Sequence, residues 1–187
     1  LGKLTARMQQ LISDLLYFSR IGRATESNQP VDVSRLVEEQ IDTLSGFLNE
    51  RNARVEVQGN LPPVSGDASR IATVFRNLII NGIKYNEQDR PRVTISADDE
   101  DAATAPLATF HVADNGIGIE PEFHDDIFKM FKRLHGEKVY GEGTGAGLAF
   151  VRKIIEQAGG SIWLDSAVGT GTTIHFTVPR ATYEDTG

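Results

Sequence analysis

The sequence contains no cysteine among its 187 residues, which excludes a disulfide framework, a thiol nucleophile and a zinc-thiolate site. It has no apolar run close to the roughly 20 residues that a membrane-spanning helix needs, and its N-terminus lacks the layout of a signal peptide. Basic residues are the minority, 19 against 26 acidic ones, and the net charge of −7 disfavours a broad surface for nucleic acid or anionic lipid. A local basic pocket for one phosphate ligand is compatible with this balance.

The chain has the composition of a globular protein, with 40% hydrophobic and 24% charged residues. Its length is sufficient to bury a core, so extended disorder and low-complexity scaffolds are disfavoured. The absence of cysteine pairs is compatible with a cytoplasmic location. The first residue is Leu1, and we expect the chain to be a piece of a longer protein.

The first 22 residues predict an amphipathic helix, because apolar side chains recur there at alternating spacings of four and three. The seam consists of Leu4, Met8, Leu11, Leu15 and Phe18, with Ile12 and Leu16 beside it. A heptad seam favours a helix bundle, and the breaker-rich stretch from Gly22 to Pro30 predicts a linker. The predicted organisation is a bundle helix (1–24), a linker (25–32), a main domain (33–181) and a tail (182–187).

Hydrophobic periodicity in the main domain predicts helices and strands in an alternating order. The predicted helices cover residues 33–51, 67–85 and 145–158, and the predicted strands cover 54–58, 92–98, 108–114, 161–166 and 172–178. Asp32 and Asp67 are the predicted N-caps of the first two helices. This order favours an α+β fold, a two-layer sandwich of a mixed β-sheet and helices.

The first segment whose residues suit a binding or catalytic site is Asp114–Ile119. It follows a predicted strand and contains Gly116 and Gly118. Glycine is needed where a backbone takes positive φ or touches a ligand. A carboxylate at the strand end can accept a hydrogen bond from the exocyclic amine of adenine, whereas guanine would present an acceptor there. Losing such a buried partner costs about 1–3 kcal/mol. By itself the segment is also compatible with an ordinary Asn-Gly turn.

The second segment is a glycine-rich loop, Gly141–Leu148, that runs directly into a predicted helix. Closely spaced glycines let successive backbone amides point at an anion, and the helix N-terminus adds its partial positive charge. Neither a Walker A loop nor a Rossmann fingerprint fits this spacing. A flexible surface loop is the alternative interpretation.

The third segment, Asn77–Tyr85, places Asn77, Asn81, Lys84 and Tyr85 on one face of a predicted helix. Two amides, a cation and an aromatic ring can supply Mg²⁺ coordination, phosphate pairing and a stacking surface. A helix whose polar face meets solvent is the alternative when this segment is taken alone.

Taken together, the three segments resemble the ATP-binding catalytic domain of sensor histidine kinases, within the superfamily that includes gyrase, MutL and heat-shock chaperone ATPases. Asn77–Tyr85 resembles the N box, Asp114–Ile119 the first glycine box, Phe128–His135 the F box and Gly143–Leu148 the second glycine box. The phrases Ile127–His135 and Gly159–Trp163 are similar to phytochrome-type kinases. Arg7–Arg20 resembles the second helix of their dimerisation hairpin. The resemblance implies the Bergerat ATP-binding fold.

The resemblance also implies roles for individual residues. Asp114 would bind the adenine amine in a pocket shaped by Gly116 and Gly118, Tyr85 would pack against the base, and Thr172 would add a hydrogen bond. Asn77 and Asn81 would hold Mg²⁺ and phosphate oxygens, with the direct metal ligand left open, and Lys84 and Arg133 would pair phosphates. The phosphate loop would consist of Gly143, Thr144, Gly145, Gly147 and Leu148. Residues 120–143 would form a lid over ATP, a disordered insert being the alternative.

Position 77 favours a kinase over a hydrolase. Related ATPases carry a glutamate four residues before the metal-binding Asn as general base for water, and this chain has Asn77 there. An amide cannot accept a proton near neutral pH, whereas phosphoryl transfer depends mainly on positioning and charge stabilisation. The resemblance thus implies a cytoplasmic histidine kinase that transfers the γ-phosphate of ATP. A non-catalytic nucleotide-binding module and an anti-sigma-type serine kinase are the alternatives.

The phosphate acceptor is expected outside this chain. His111 and His175 fall on predicted strands, and His124 and His135 fall between the glycine boxes, away from any dimerisation helix. The resemblance places the acceptor on a preceding helix and implies a homodimer through residues 1–22, with a response regulator as a further partner. Two departures from the family bear on nucleotide affinity: Gly82 where alanine is usual, and Ala146 where a larger aliphatic residue is usual.

Overall fold

The computed structural model describes residues 2–21, 29–98, 105–132 and 144–181. The helices are α1 (Gly2–Ile21), α2 (Val33–Thr43), α3 (Ser45–Glu50), α4 (Ala68–Lys84) and α5 (Gly147–Gln157). The strands are β1 (Gln29–Val31), β2 (Arg54–Val57), β3 (Val64–Gly66), β4 (Arg92–Ala97), β5 (Leu107–Asp114), β6 (Ile162–Ala167) and β7 (Gly171–Pro179). Two short 3₁₀ turns, Pro121–Phe123 and Asp126–Phe128, follow β5.

The main sheet has five strands in the order β2-β4-β5-β7-β6. The pair β2–β4 is parallel and the other pairs are antiparallel, which makes the sheet mixed. Buried side chains alternate with partly exposed ones along β5 and β7, so one face of the sheet is covered. Helices α4 and α5 pack on that face and on each other. The predicted α+β sandwich, with a helix preceding it, is confirmed.

Three phenylalanine rings hold α4 against the sheet. Phe75 on α4 meets Phe110 of β5 and Phe176 of β7 at centroid distances of 5.8 and 5.6 Å, and the two strand rings stack 5.4 Å apart. All three side chains are buried, and such pairs add about 0.5–1.5 kcal/mol beyond area burial. This contact fixes the orientation of α4 and therefore the direction in which its polar side chains point.

A second, two-stranded sheet was not predicted from the sequence. Residues 29–31, at the end of the predicted linker, pair antiparallel with Val64–Gly66. The segment has only three residues and includes Pro30, so it lacks the alternation that identifies a strand. Val31 is buried, and the pairing joins the segment to the main domain.

The helix predicted over residues 33–51 is divided at Leu44. Leu44, whose N–H still bonds to the carbonyl of Gln40 at 3.0 Å, is the C-cap of α2, and α3 begins at Ser45. Thr43 and Gly46 beside the break both have low helix propensity. The two predicted N-caps are confirmed: Asp32 accepts from the N–H of Arg35 at 3.1 Å, and Asp67 caps α4.

Helix α1 packs its C-terminal end on the main domain. Ile21 is buried, Tyr17 meets the ring of Phe150 edge-on at 5.1 Å, and Lys153 donates to the carbonyl of Phe18 at 2.8 Å. Phe18 of the predicted seam therefore faces α5, while the middle of α1 leaves apolar side chains more than half exposed, namely Met8, Ile12, Leu15 and Leu16. Dimerisation through residues 1–22 stays a prediction.

In the described parts of the chain, no helix is both long and apolar enough to cross a membrane.

Candidate functional site

A cavity lies between α4 and the covered face of the main sheet. Its empty volume is about 800 Å³, including the part that opens to solvent. Six of the residues predicted from the sequence line it, namely Asn81, Tyr85, Asp114, Gly118, Leu148 and Thr172. The wall is completed by Leu78, Gly82, Val112, Ile117, Ile119, Ile127, Lys132 and Ile174. An apolar cavity with a few convergent polar groups is typical of a small-molecule site.

Asp114 is the last residue of β5 and supplies a buried carboxylate to the cavity. Its Oδ1 accepts from the N–H groups of Gly116 at 2.8 Å and Thr172 at 3.2 Å. Burial raises the pKa of Asp114 from 3.8 to about 6, against the opposing effect of these two N–H donors. No donor from the described residues bonds to Oδ2, so this oxygen is available to a hydrogen-bond donor in the cavity.

Thr172 belongs to a small polar network next to Asp114. Its hydroxyl lies 2.8 Å from the hydroxyl of Ser166, which accepts from the N–H of Ile119 at 2.9 Å. Ser166 and Thr172 are cross-strand partners on β6 and β7. Ser166 was not predicted as a site residue, although a Ser and a Thr at either side of a predicted hairpin signal such a pair. The network connects the floor of the cavity to the loop after β5.

The loop after β5 passes between the end of α4 and the turn that joins β6 to β7. The N–H of Ile117 bonds to the carbonyl of Tyr85 at 3.1 Å, and the N–H of Gly169 bonds to the carbonyl of Ile117 at 2.8 Å. Gly118 has a φ of +71° there, which favours glycine. The predicted first glycine box is thus held on both sides by main-chain hydrogen bonds.

The two asparagines of α4 differ in their surroundings. Asn81 lines the cavity. Asn77 donates from Nδ2 to the carbonyl of Thr73 at 2.7 Å, and a Cβ atom on Gly147 would lie 2.6 Å from its Oδ1. Asn77 therefore contacts the first residue of α5 and does not line the cavity. Lys84 also lies outside the lining, with its Nζ 5.6 Å from the ring centroid of Tyr85.

The described part of the second glycine box begins at Thr144. Of its residues, only Leu148 lines the cavity. Gly145 accepts from the N–H of Phe131 at 3.1 Å, and the hydroxyl of Thr144 donates to Oδ2 of Asp14 on α1. Arg133 and Gly143 lie outside the described residues, as does the part of the predicted lid between them.

Lys132 lines the cavity and was missed in the sequence, where its neighbour Arg133 was selected. Its Nζ donates to Asp126 Oδ2 at 2.5 Å, and Lys129 donates to Oδ1 of the same carboxylate at 2.5 Å. The two hydrogen bonds lower the pKa of Asp126, and Asp126 raises the pKa of Lys129. The signal in the sequence is Lys129, Lys132 and Arg133 at the end of the F box, which does not by itself indicate which cation faces inward.

Gly82 packs against the strands that form the floor of the cavity. A Cβ atom at this position would lie 2.7 Å from Cγ2 of Val93 and 3.0 Å from Cβ of Asp114. Val93 is buried and β-branched, so its methyl group has little freedom to move. The close approach of α4 to β4 and β5 explains the glycine. Ala146, the other departure, is itself buried.

Gly82→Ala is expected to destabilise the chain by about 1–2 kcal/mol, because the cost of overpacking exceeds the gain of about 1 kcal/mol in helix propensity. The measurement is the free energy of unfolding in urea. Gly46→Ala is the matched control, because Gly46 is also helical and an added Cβ atom there would have no neighbouring heavy atom within 4 Å. A gain in stability for Gly82→Ala comparable with that of the control would contradict this packing argument.

The family model described as histidine kinase-, DNA gyrase B-, and HSP90-like ATPase matches residues 66–182, which include α4, most of the main sheet and α5. The chain belongs to this family. The match covers all the segments that surround the cavity, so the family and the fold predicted by resemblance are both confirmed.

The chain's relatives include phytochromes and sensor histidine kinases. It is 44% identical over 177 residues to cyanobacterial phytochrome B of Nostoc sp., covering 94% of this chain and 23% of that protein. It is 40% identical to a phytochrome-like protein of Synechocystis sp., covering 92% of this chain and 22% of that protein. The chain therefore spans less than a quarter of these relatives.

A solved structure supports the same placement. The full-length protein ShkA, whose crystal structure is in complex with AMPPNP, superposes with a TM-score of 0.78 at 27% identity, covering 94% of this chain and 36% of that one. The catalytic domain of the histidine kinase ThkA has a TM-score of 0.68 at 25% identity, covering 82% and 95% of the two chains.

Proposed function

We propose that this chain is the ATP-binding catalytic part of a two-component sensor histidine kinase. It would bind ATP with Mg²⁺ in the cavity and present the γ-phosphate to an acceptor histidine outside the chain. The observation that carries the proposal is Asp114, a buried carboxylate with one oxygen held by two backbone N–H groups and the other available to a donor. The exocyclic amine of adenine is such a donor.

The adenine end of the cavity can be assigned residue by residue. Asp114 accepts the amine, Thr172 fixes the Asp114 carboxylate through its N–H, and Tyr85 lies in the wall beside the base. Gly116 positions the same carboxylate, and Gly118 lets the loop after β5 approach the turn that joins β6 to β7. A purine with an oxygen in place of the amine would face Oδ2 with a second acceptor, so the site selects adenine over guanine.

The phosphate end is assigned to α4, the F box and the second glycine box. Asn81 is the amide in the cavity wall, and we assign its oxygen to Mg²⁺. Asn77 is assigned an indirect role outside the cavity wall, where it contacts Gly147 at the start of α5. Phosphate contacts are assigned to the cations Lys84, Lys132 and Arg133 and to the loop residues Gly143, Thr144, Gly145, Gly147 and Leu148.

A magnesium ion with few protein ligands suits this donor set. Within the described ranges, no three His, Asp or Glu side chains converge as a complete metal cage. Mg²⁺ keeps several waters and is commonly held by one or two protein oxygens together with substrate phosphates. The Asn81 amide is one such oxygen, and when bound the ion neutralises charge on the phosphates.

The described residues offer no obvious base for water near the phosphates. Asn77 occupies the position of the glutamate of related ATPases, and its amide contacts Thr73 and Gly147. Of the histidines in the described residues, none lines the cavity. When ATP is held without an activated water, its γ-phosphate can be transferred to a nucleophile from another segment. We infer that this nucleophile is a histidine on a preceding dimerisation helix, in a homodimer formed through residues 1–22.

A response regulator is the inferred next acceptor. One solved structure with this fold, at a TM-score of 0.73 and 20% identity, is the histidine kinase ThkA in complex with the response regulator protein TrrA. For the present chain the regulator is part of the proposal, and its identity would follow from which receiver domain accepts the phosphate.

Asn81→Ala is expected to lower the rate of phosphate transfer at least tenfold, because Asn81 is assigned as a direct metal ligand and the loss of even an outer-shell partner of a metal site typically costs 10- to 100-fold. The chain is incubated with γ-labelled ATP, Mg²⁺ and a separate dimerisation hairpin that carries an acceptor histidine. Acid-labile, alkali-stable label on the hairpin is the readout, and Asn49→Ala, an exposed position in α3, is the control. ATP binding without any label on the hairpin would support a non-catalytic nucleotide module instead.

A further inference from the structure

Two histidines face each other on the side of the main sheet opposite the cavity. His111 of β5 and His175 of β7 are direct cross-strand partners, and their Nδ1 atoms are 2.7 Å apart. The rings are nearly perpendicular, with an interplanar angle of 75°. Their neighbours Phe110 and Phe176 point the other way, into the core. The pair is therefore separate from the nucleotide site.

Each imidazole is held from behind by a carboxylate. Nε2 of His111 lies 2.8 Å from Oδ1 of Asp98, and Nε2 of His175 lies 3.1 Å from Oδ2 of Asp165. An ionised carboxylate only accepts hydrogen bonds, so both Nε2 atoms are assigned as N–H donors. Both Nδ1 atoms then direct a lone pair at each other. Two lone pairs at this separation repel, and a cation bound by both nitrogens removes the repulsion.

We propose that His111 and His175 form a binding site for a divalent transition metal ion that prefers imidazole, with Cu²⁺ bound most tightly. Histidines that bind metals commonly donate their other ring N–H to a carboxylate, which fixes the tautomer and raises the basicity of the ligand. Here both histidines have such a partner, and their two free nitrogens are adjacent.

The distance between the two nitrogens suits adjacent positions of a tetragonal metal. With metal–nitrogen distances of about 2.0–2.1 Å, two ligands at a right angle lie about 2.9 Å apart. The metal would lie to one side of the line between the two nitrogens, so the pair needs to open by about 0.2 Å and each ring needs to turn its lone pair toward the metal. Cu²⁺ favours tetragonal sites and stands at the top of the affinity order of divalent first-row metals.

The site is open enough for water to complete the coordination. The side chains of His111 and His175 are 23% and 15% exposed, and that of Asp165 is 83% exposed. Within the part of the chain that the structure describes, no third His, Asp or Glu joins the pair as a metal ligand set. Two protein ligands with added water give a micromolar, exchangeable site.

Trp163 provides a direct reporter for this site. It is the only tryptophan of the chain, and its ring stacks on His175 at a centroid distance of 5.4 Å and an interplanar angle of 16°. Paramagnetic Cu²⁺ bound by His175 would quench its fluorescence. Titration of the whole chain with copper chloride, without nucleotide, is expected to give saturable quenching at one equivalent, with half-saturation in the micromolar range.

His111→Ala keeps the Trp163–His175 stack and is expected to weaken copper binding at least 20-fold. His124→Ala is the matched control, because His124 bonds to the carbonyl of Ile119 away from the pair. Asp98→Asn keeps an acceptor for Nε2 of His111 but removes the negative charge that raises the basicity of this ligand, and it is expected to weaken binding about tenfold. Zn²⁺ is expected to compete with the quenching, whereas millimolar Mg²⁺ is not.

Circular dichroism before titration verifies that each variant is folded, and Asp98→Asn decides the question if His111→Ala does not fold. Quenching that does not saturate below about 100 μM copper would overturn the proposal. So would quenching that is equal in the wild type, His111→Ala and Asp98→Asn. The pair would then be a structural contact that binds no metal.

Discussion

Replacing Asp114 by asparagine is expected to weaken ATP binding about 30- to 100-fold and, at the same time, to make the chain more stable. The Oδ1 position continues to accept from Gly116 and Thr172 in the variant. The amide nitrogen then replaces Oδ2 and meets the adenine amine as donor against donor. The loss of a charge-assisted hydrogen bond of about 2–3 kcal/mol corresponds to the stated change in affinity.

The gain in stability follows from the raised pKa of Asp114. The native carboxyl has a pKa of about 6 against a usual value of 3.8, so between these values the native state holds more protons than the unfolded state. The free energy of unfolding therefore falls as the pH rises from about 4 to 6 and is constant above, as far as this group is concerned. At neutral pH the buried charge costs up to about 3 kcal/mol. An amide carries no such cost.

Urea unfolding at several pH values, together with calorimetric titration of ATP, measures both effects. We expect the Asp114→Asn curve to lack the fall between pH 4 and 6 and to lie about 1–3 kcal/mol above wild type at pH 7.5. Asp89→Asn changes an exposed carboxylate and serves as the control for net charge. Unchanged ATP affinity would contradict adenine recognition by Asp114, and a loss of stability at neutral pH would contradict the cost of its burial.

The elements of the fold could be predicted where their periodicity was long and regular. Helix α4 carries seven buried residues at helical spacing and an Asp67 cap, and its predicted and observed ends differ by one residue. The carboxylate in the cavity wall was also predictable, because Asp114 stands at the end of an alternating strand and before two glycines. By contrast, β1 has three residues with a proline, and only its pairing with β3 makes it a strand.

The site residues that the sequence could not resolve depend on contacts between distant segments. Asn77 and Asn81 are equivalent on an isolated helix, and they become different because α5 begins against Asn77. The presence of Lys132 in the cavity wall depends on how the F box follows the Asp126 turn, whereas Arg133 lies outside the described residues. The approach of His111 to His175 requires the register of β5 against β7, because the two residues are 64 positions apart in the chain.

Gly118→Ala is expected to lower the free energy of unfolding by about 3 kcal/mol or more and to weaken ATP binding at least tenfold. Two effects add. A φ of +71° costs an L-residue about 1–2 kcal/mol, and the new Cβ atom would lie 2.1 Å from the carbonyl oxygen of Ala167. Main-chain hydrogen bonds hold the loop on both sides, so the clash with the carbonyl of Ala167 can be relieved only if the loop moves. The wall of the cavity would move with the loop.

Gly169→Ala separates the two effects. Gly169 lies in the turn that Gly118 contacts and has a φ of +78°, but nothing lies within 4 Å of its Cβ position. The control should therefore lose only the backbone term of about 1 kcal/mol and leave ATP affinity unchanged. Urea unfolding and ATP titration of both variants give the comparison. If both variants lost the same stability, the steric contact with Ala167 would have no energetic weight, and the loop would be free to adjust. A larger loss in Gly118→Ala, accompanied by weaker ATP binding, would show that the close approach of these two loops sets the shape of the adenine pocket.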